Sequence, residues 1–337
     1  RKDEQNTNVS TRHIGHRSKP SIIFETNYYA ALWWYGYKGL GFYDEPVRPE
    51  NELWRNQLVP LLAELNIPAP LLSSPLQKFL YQFPAYLNPR DPDELQKICN
   101  AAHQFMRDGS ITAYTGTWPR MTRYWDQWFC EPSLKLMHDS YTGQEEKISE
   151  IIEIWAAYMR ELWPKYREIY DEKIKTVNVD DFQERLDELG LMTFWQRQFG
   201  TPYPYDEFHV IVCPDCPTLA GRIGPEKIVI GAQYSWENIS NAVTHEVGYR
   251  FPALSRLSRE PNTRDLVNHD PTGIMRLIET EVCVRKLDLL TDLKNDAYVT
   301  SLGLQNLVNW RVLVALDTTF EASLPSLYTK AKNAGLL

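Results

Sequence analysis

The longest helical pattern of the chain lies between residues 143 and 175, where apolar side chains recur with the 3.6-residue period of an α-helix. These side chains are Ile148, Ile151, Ile152, Trp155, Tyr158, Met159, Leu162, Tyr166, Ile169 and Tyr170. The pattern predicts one long amphipathic helix, and Pro164 is expected to kink it.

Shorter segments before and after it carry the same kind of signal. Further helices are predicted over residues 21–37, 51–66, 91–105 and 180–199. Asp91, followed by Pro92, is a typical N-cap and first turn. Residues 20–200 are therefore predicted to be almost entirely helical.

The pattern changes after residue 200. Residues 208–213 and 227–231 are short runs rich in β-branched side chains, and each predicts a strand. The two strands could pair as a hairpin with a long loop. Helices are predicted to follow over residues 236–257, 272–290 and 306–332. The predicted class is α+β, predominantly helical, with a small sheet beside the helix that starts at Trp236.

No linker of low complexity divides the chain, but the change of pattern suggests a division. We expect a flexible N-terminal segment (1–19), a helical region (20–200) and a third unit (201–337). The chain starts at Arg1 without Met. Cleavage of a signal peptide would explain this start and would favour a secreted or periplasmic location, and a recombinant start would explain it equally well.

Charge and hydropathy argue against nucleic acid as a partner and against a membrane span. The formal net charge is −8, which argues against a broad nucleic-acid surface. The chain has no run of about 18 apolar residues, so no membrane span is expected. The 11 Trp and 19 Tyr fit helix packing or the lining of a peptide or glycan cleft.

The five cysteines do not form the framework of a small disulfide-rich protein. Cys213 and Cys216 have C-x-x-C spacing, which is found in redox pairs and in zinc sites. A second C-x-x-C is missing, and this one follows a strand and precedes Pro217. A plain loop is therefore favoured over redox or zinc chemistry.

The segment whose side chains most clearly suggest a catalytic or metal-binding site is Thr244-His245-Glu246-Val247-Gly248-Tyr249. On a helix, residues four apart share a face, so His245 and Tyr249 should lie one above the other. This is the frame H-E-x-x-H with Tyr249 in place of the second His. In the intact motif two His bind Zn²⁺, and the Glu is the general base that activates the metal-bound water.

The segment from Ile228 to Leu254, followed by Glu281-Val282-Cys283-Val284-Arg285, resembles bacterial members of the zincin metallopeptidases, and in particular the gluzincin pattern H-E-x-x-H followed by E-x-x-V-R. The resemblance covers about the last third of the chain. It implies that His245 and Glu281 are zinc ligands and that Glu246 is the catalytic base. Tyr249 then occupies the position of the second metal ligand.

The resemblance implies a zinc-dependent metallopeptidase acting on a peptide or protein, or an inactive descendant in which zinc binds weakly or is lost. A phenol has a pKa of about 10 and is a poor zinc ligand unless the metal deprotonates it. Tyr249 could mark a pseudoenzyme, be a direct ligand or be a variant of a working His. The rival hypotheses are a non-catalytic protein that keeps the cleft for a peptide or glycan, and a helical protein unrelated to zincins. The last of these predicts that residues 208–231 form no sheet beside the His245 helix.

Overall fold

The computed structural model describes residues 19–68, 75–127, 137–280, 319–335 and 337. Most of them are helical, and four strands form one mixed sheet, so the predicted α+β, predominantly helical class is confirmed. The predicted flexible segment 1–19 lies outside the described residues except for Lys19, and the predicted ligand Glu281 lies outside them as well.

The described part of the chain contains the following helices, in chain order. They are α1 (Tyr28–Gly39), α2 (Glu52–Glu64), α3 (Phe83–Leu87), α4 (Pro92–Asp108), α5 (Thr112–Thr117), α6 (Arg120–Gln127), α7 (Glu145–Ile174), α8 (Val179–Leu189), α9 (Leu191–Phe199), α10 (Trp236–Gly248), α11 (Ala253–Leu257), α12 (Arg264–His269), α13 (Pro271–Thr280) and α14 (Phe320–Asn333). A 3₁₀ turn, Pro49–Asn51, precedes α2, and a π-helical turn, Lys78–Gln82, precedes α3.

Several helix boundaries follow the sequence signals. The Asp91 side chain accepts a hydrogen bond from the Glu94 amide, so α4 begins at the predicted N-cap. The long helix α7 runs through Pro164 as one element. The helix predicted over residues 180–199 is divided into α8 and α9 at Gly190, which has a φ of +59°. Positive φ is readily adopted by glycine and ends the first helix there.

The sheet contains β1 (Ser21–Glu25), β2 (Glu207–Cys213), β3 (Ala220–Gly224) and β4 (Lys227–Gly231), in the spatial order β1-β2-β4-β3. β1 and β4 are both parallel to β2, and β3 is antiparallel to β4. The prediction that β2 and β4 form a hairpin is wrong. The hairpin is β3–β4, and it returns the chain so that β4 runs parallel to β2.

The prediction that a helix begins at residue 21 is also wrong, because residues 21–25 form strand β1. This strand is at the opposite edge of the sheet from β3, and Ser21 of β1 is aligned with Glu207 of β2. Its side chains alternate in burial, with Ile22 and Phe24 buried. The helical stretch then starts at Tyr28, where the Asn27 side chain caps α1.

The sheet separates two hydrophobic layers, because successive side chains of a strand point to opposite faces. One face contributes Ile211, Cys213, Ile223 and Val229 to a core shared with helices α1–α7. The other face contributes Ile22, Phe24, Val210, Val212, Ile228 and Ile230 to a core shared with α8–α14. A sheet is therefore present beside α10, which contradicts the prediction that residues 208–231 form none, whereas the relation to zincins stays a prediction.

No helix among the described residues combines the length and the hydropathy needed to cross a bilayer.

Candidate functional site

Helix α10 carries the His245-Glu246 motif and is fixed at both ends. The Ser235 side chain accepts a hydrogen bond from the Asn238 amide at the first turn. Near the other end the Trp195 indole donates to the Thr244 carbonyl at 3.0 Å. A Cβ at Gly248 would lie 2.7 Å from the Trp195 ring, so a side chain there would collide with α9.

The helix ends sooner than the pattern over residues 236–257 predicts. Its last residue is Gly248, and Tyr249 is the C-cap, with its amide bonded to the His245 carbonyl at 3.0 Å. The chain turns at Phe251 and Pro252 before α11 begins at Ala253. Pro252 therefore separates two helices, as expected for a residue that cannot continue a helix.

The motif side chains lie close together at this end of α10. The ring centroids of His245 and Tyr249 are 5.5 Å apart, in line with their i, i+4 spacing. His245 Nε2 lies 3.7 Å from Glu246 Oε1. Both His245 and Glu246 are buried, with exposed fractions of 3% and 6%, whereas Tyr249 is half-buried.

Two arginines approach the Glu246 carboxylate. Arg222, on strand β3, donates from Nε to Glu246 Oε2 over 2.7 Å. Its guanidinium carbon is also 4.8 Å from the centre of the Tyr249 ring, a distance at which cation–π attraction operates. Arg250, the residue that follows the motif segment, reaches the same carboxylate oxygen at 3.8 Å. The Glu246 carboxylate is therefore the centre of an ion cluster.

Burial and charge set the protonation states in this cluster. Burial lowers the pKa of His245 to about 4, so its imidazole is neutral near pH 7. Burial alone would raise the pKa of Glu246, but its electrostatic interactions with His245, Arg222 and Arg250 and the hydrogen bond from Arg222 together lower it. With His245 neutral, the two guanidinium groups are the cations that keep Glu246 ionised.

The described residues do not by themselves complete a zincin metal centre. They include no group of three His, Cys, Asp or Glu side chains arranged to hold a metal ion. His245 offers a neutral imidazole, but Tyr249 offers a phenol, and the neighbouring Arg222 carries a permanent positive charge. The role of Glu281 as third ligand stays a prediction, because that residue lies outside the described part of the chain.

Arg222 is the member of the cluster that the sequence does not indicate. It lies in the connection between the two predicted strands, 24 residues before Glu246. The only available signal is a basic residue in an otherwise apolar run, Ala220 to Gly224. The contact between Arg222 and Glu246 of α10 requires that residues 220–224 form the edge strand β3. The sequence pattern does not predict this strand.

A second buried carboxylate connects the helical layer to the sheet. Glu226, in the β3–β4 turn, accepts a hydrogen bond from the Tyr86 hydroxyl at 2.7 Å and lies 3.9 Å from Arg123. Burial, followed by the charge of Glu226, raises the pKa of Tyr86. Tyr86 lies on α3 and Arg123 on α6, so this cluster anchors both helices to the hairpin.

The C-x-x-C segment forms a buried loop after β2. Cys213 and Cys216 are both free thiols and are almost fully buried. Burial raises the pKa of Cys216 to about 11 and raises that of Cys213 well above its usual value. Between them, Asp215 accepts hydrogen bonds from Tyr166 and Lys173 of α7. This geometry fits the plain loop rather than a reactive thiol pair.

A scan against protein-family models and searches of curated proteins and solved structures found no match to this chain.

Proposed function

We propose that this chain is a non-catalytic descendant of a zincin metallopeptidase and that it binds an extended peptide segment along strand β3. The observation that supports the loss of catalysis is the 2.7 Å ion pair between Arg222 and Glu246. The resemblance to zincins implies that Glu246 is the base that takes a proton from the attacking water.

A carboxylate in that role must reach the water and must be basic enough to accept its proton. Here one oxygen of Glu246 is bonded to Arg222, and Arg250 approaches the same oxygen. The lowered pKa of Glu246 further weakens it as a base. Replacement of the second His by Tyr249 favours the same conclusion, because a phenol binds zinc poorly.

The support for peptide binding is the position of β3. It is an edge strand of the sheet, and within the described ranges it pairs with β4 alone. Its first three residues are half-buried rather than covered. An edge strand can bind an extended peptide through main-chain hydrogen bonds, and the chain next to it then contributes side-chain contacts.

The experiment uses pooled fluorescent decapeptides of random sequence and the full-length chain, with and without added Zn²⁺. We expect saturable binding by fluorescence polarisation, slower hydrogen exchange in residues 220–224 when peptide is present, and no cleavage by mass spectrometry. Residues 92–108, in helix α4, are the internal control, whose exchange should not change.

Two results would contradict the proposal. Zinc-dependent cleavage that disappears in Glu246→Gln would mean that the site is catalytic. Absence of peptide binding, or binding of labelled oligosaccharides in its place, would mean that the edge of β3 does not serve as a peptide site.

A further inference from the structure

The Arg222 side chain reaches all three motif residues from a different element of the fold. Arg222 precedes Ile223, which points into the core shared with α1–α7. Arg222 is paired with Ile228 of β4, which packs in the core shared with α8–α14, and directly opposed residues share a face, so Arg222 lies on the face that packs against α10. From there it bonds Glu246 and covers the Tyr249 ring, and its charge acts on His245.

A metal ion in the arrangement implied by the resemblance would have to lie beside His245 and the residue at position 249. Ligand bonds to zinc are about 2.0–2.2 Å long, so the side chains that hold the ion must converge on one point. The guanidinium of Arg222 bonds Glu246 and lies 4.8 Å from the centre of the Tyr249 ring, so it occupies space beside the position of the second ligand. An arginine stays protonated at any pH at which the protein is folded, so its charge repels a divalent cation there.

We propose that Arg222 takes the place of the metal as the cation of this site, so that restoring the second His would not by itself restore zinc binding. This inference rests on the zincin ancestry proposed above. It adds that two changes separate this chain from a metal site: the loss of a ligand at Tyr249 and the presence of a permanent charge at Arg222.

The test is a zinc titration of five proteins by calorimetry. They are the parent, Tyr249→His, Arg222→Met, and Tyr249→His combined with Arg222→Met or with Arg222→Lys. Met keeps much of the aliphatic stem without the charge, whereas Lys keeps the charge. Arg250 is unchanged in every protein, so the comparison isolates Arg222.

We expect Tyr249→His with Arg222→Met to bind Zn²⁺ at least tenfold more tightly than Tyr249→His alone. Tyr249→His with Arg222→Lys should remain as weak as Tyr249→His alone, because the cation is still present. Titration with Co²⁺ is a second readout, and its visible d–d absorption should appear only in the combination with Met. Circular dichroism verifies that each variant is folded, and the Lys variant is the matched folding control.

Equal zinc affinity in Tyr249→His and in its combination with Arg222→Met would overturn the inference. So would tight zinc binding by the combination with Arg222→Lys. Peptide binding by the parent is a separate readout, so failure of the proposed peptide site can be distinguished from failure of this inference.

Discussion

Removal of the Arg222 charge tests whether the ion cluster at the end of α10 contributes to the folding stability of the protein. The change is Arg222→Met, which leaves the Glu246 carboxylate buried at 6% exposure without its 2.7 Å partner. Breaking a buried ion pair by deleting one partner typically costs about 3–5 kcal/mol, because an uncompensated charge stays in the interior.

Two features of the structure reduce that cost. The Arg222 side chain is 37% exposed, so water already screens part of the interaction. Arg250 is retained 3.8 Å from the same oxygen and compensates part of the charge. We therefore expect Arg222→Met to lower the free energy of unfolding by about 2 kcal/mol at pH 7, below the usual range for broken buried pairs.

A double-mutant cycle separates the pair from other effects of the substitution. The variants are Arg222→Met, Glu246→Gln and both together, and urea unfolding gives each free energy. The neutral amide introduced by Glu246→Gln carries no charge, so loss of Arg222 in that background should cost much less. We expect a coupling of about 1–2 kcal/mol between the two positions.

The matched control is an ion pair on the surface. Lys165 and Glu161 lie 2.6 Å apart on α7, with side chains 61% and 41% exposed. Lys165→Met should change stability by less than about 0.5 kcal/mol, since exposed pairs contribute little. A coupling near zero between Arg222 and Glu246, or a cost for Arg222→Met no larger than that of Lys165→Met, would refute the reasoning.

Three further predictions concern the surroundings of the site. Gly248→Ala should destabilise the protein by about 1–3 kcal/mol and lower its Tm, because the new Cβ would lie 2.7 Å from Trp195. The pKa of His245 is lowered from 6.5 to about 4, so between these values the unfolded chain binds a proton that the folded chain does not. Folding stability should therefore fall by roughly 3 kcal/mol as the pH drops through that window, and His245→Gln should lack this loss in urea titrations. Cys213 and Cys216 should react with iodoacetamide at pH 8 only after unfolding, since burial raises the pKa of both thiols. Peptide mass spectrometry measures the labelling, and labelling of the folded protein would contradict their burial.

The local elements of the fold can largely be predicted from the sequence. The apolar stripe of α7 extends over many turns, so its period is unambiguous. Strands β2 and β4 each contain three consecutive β-branched residues, 210–212 and 228–230, as expected for strands covered on both faces. The Asp91 cap depends only on neighbouring residues, and its prediction is confirmed.

The elements that depend on distant partners cannot be predicted in the same way. β1 has five residues next to an aromatic run, and its partner β2 is more than 180 residues later in the chain. β3 contains two glycines and one charged residue, which is a weak strand signal. Without β1 and β3, pairing of β2 with β4 as a hairpin is the simplest arrangement.

The candidate site shows the same division between local and distant information. The spacing of His245 and Tyr249 within one helix predicts the proximity of their rings. The contact between Arg222 and Glu246 joins a strand to a helix and leaves no periodic signal in the sequence. It therefore emerges only with the three-dimensional arrangement of the sheet.

The central claim is that Arg222, and not a zinc ion, is the cation of this site. Its most direct test is the metal content of the parent protein. The protein would be incubated with excess Zn²⁺, dialysed against a mild chelator and analysed by inductively coupled plasma mass spectrometry. We predict far less than one zinc per chain, because Tyr249 is a poor ligand and Arg222 opposes a second cation. Retention of about one zinc per chain, lost again in His245→Ala, would contradict this account.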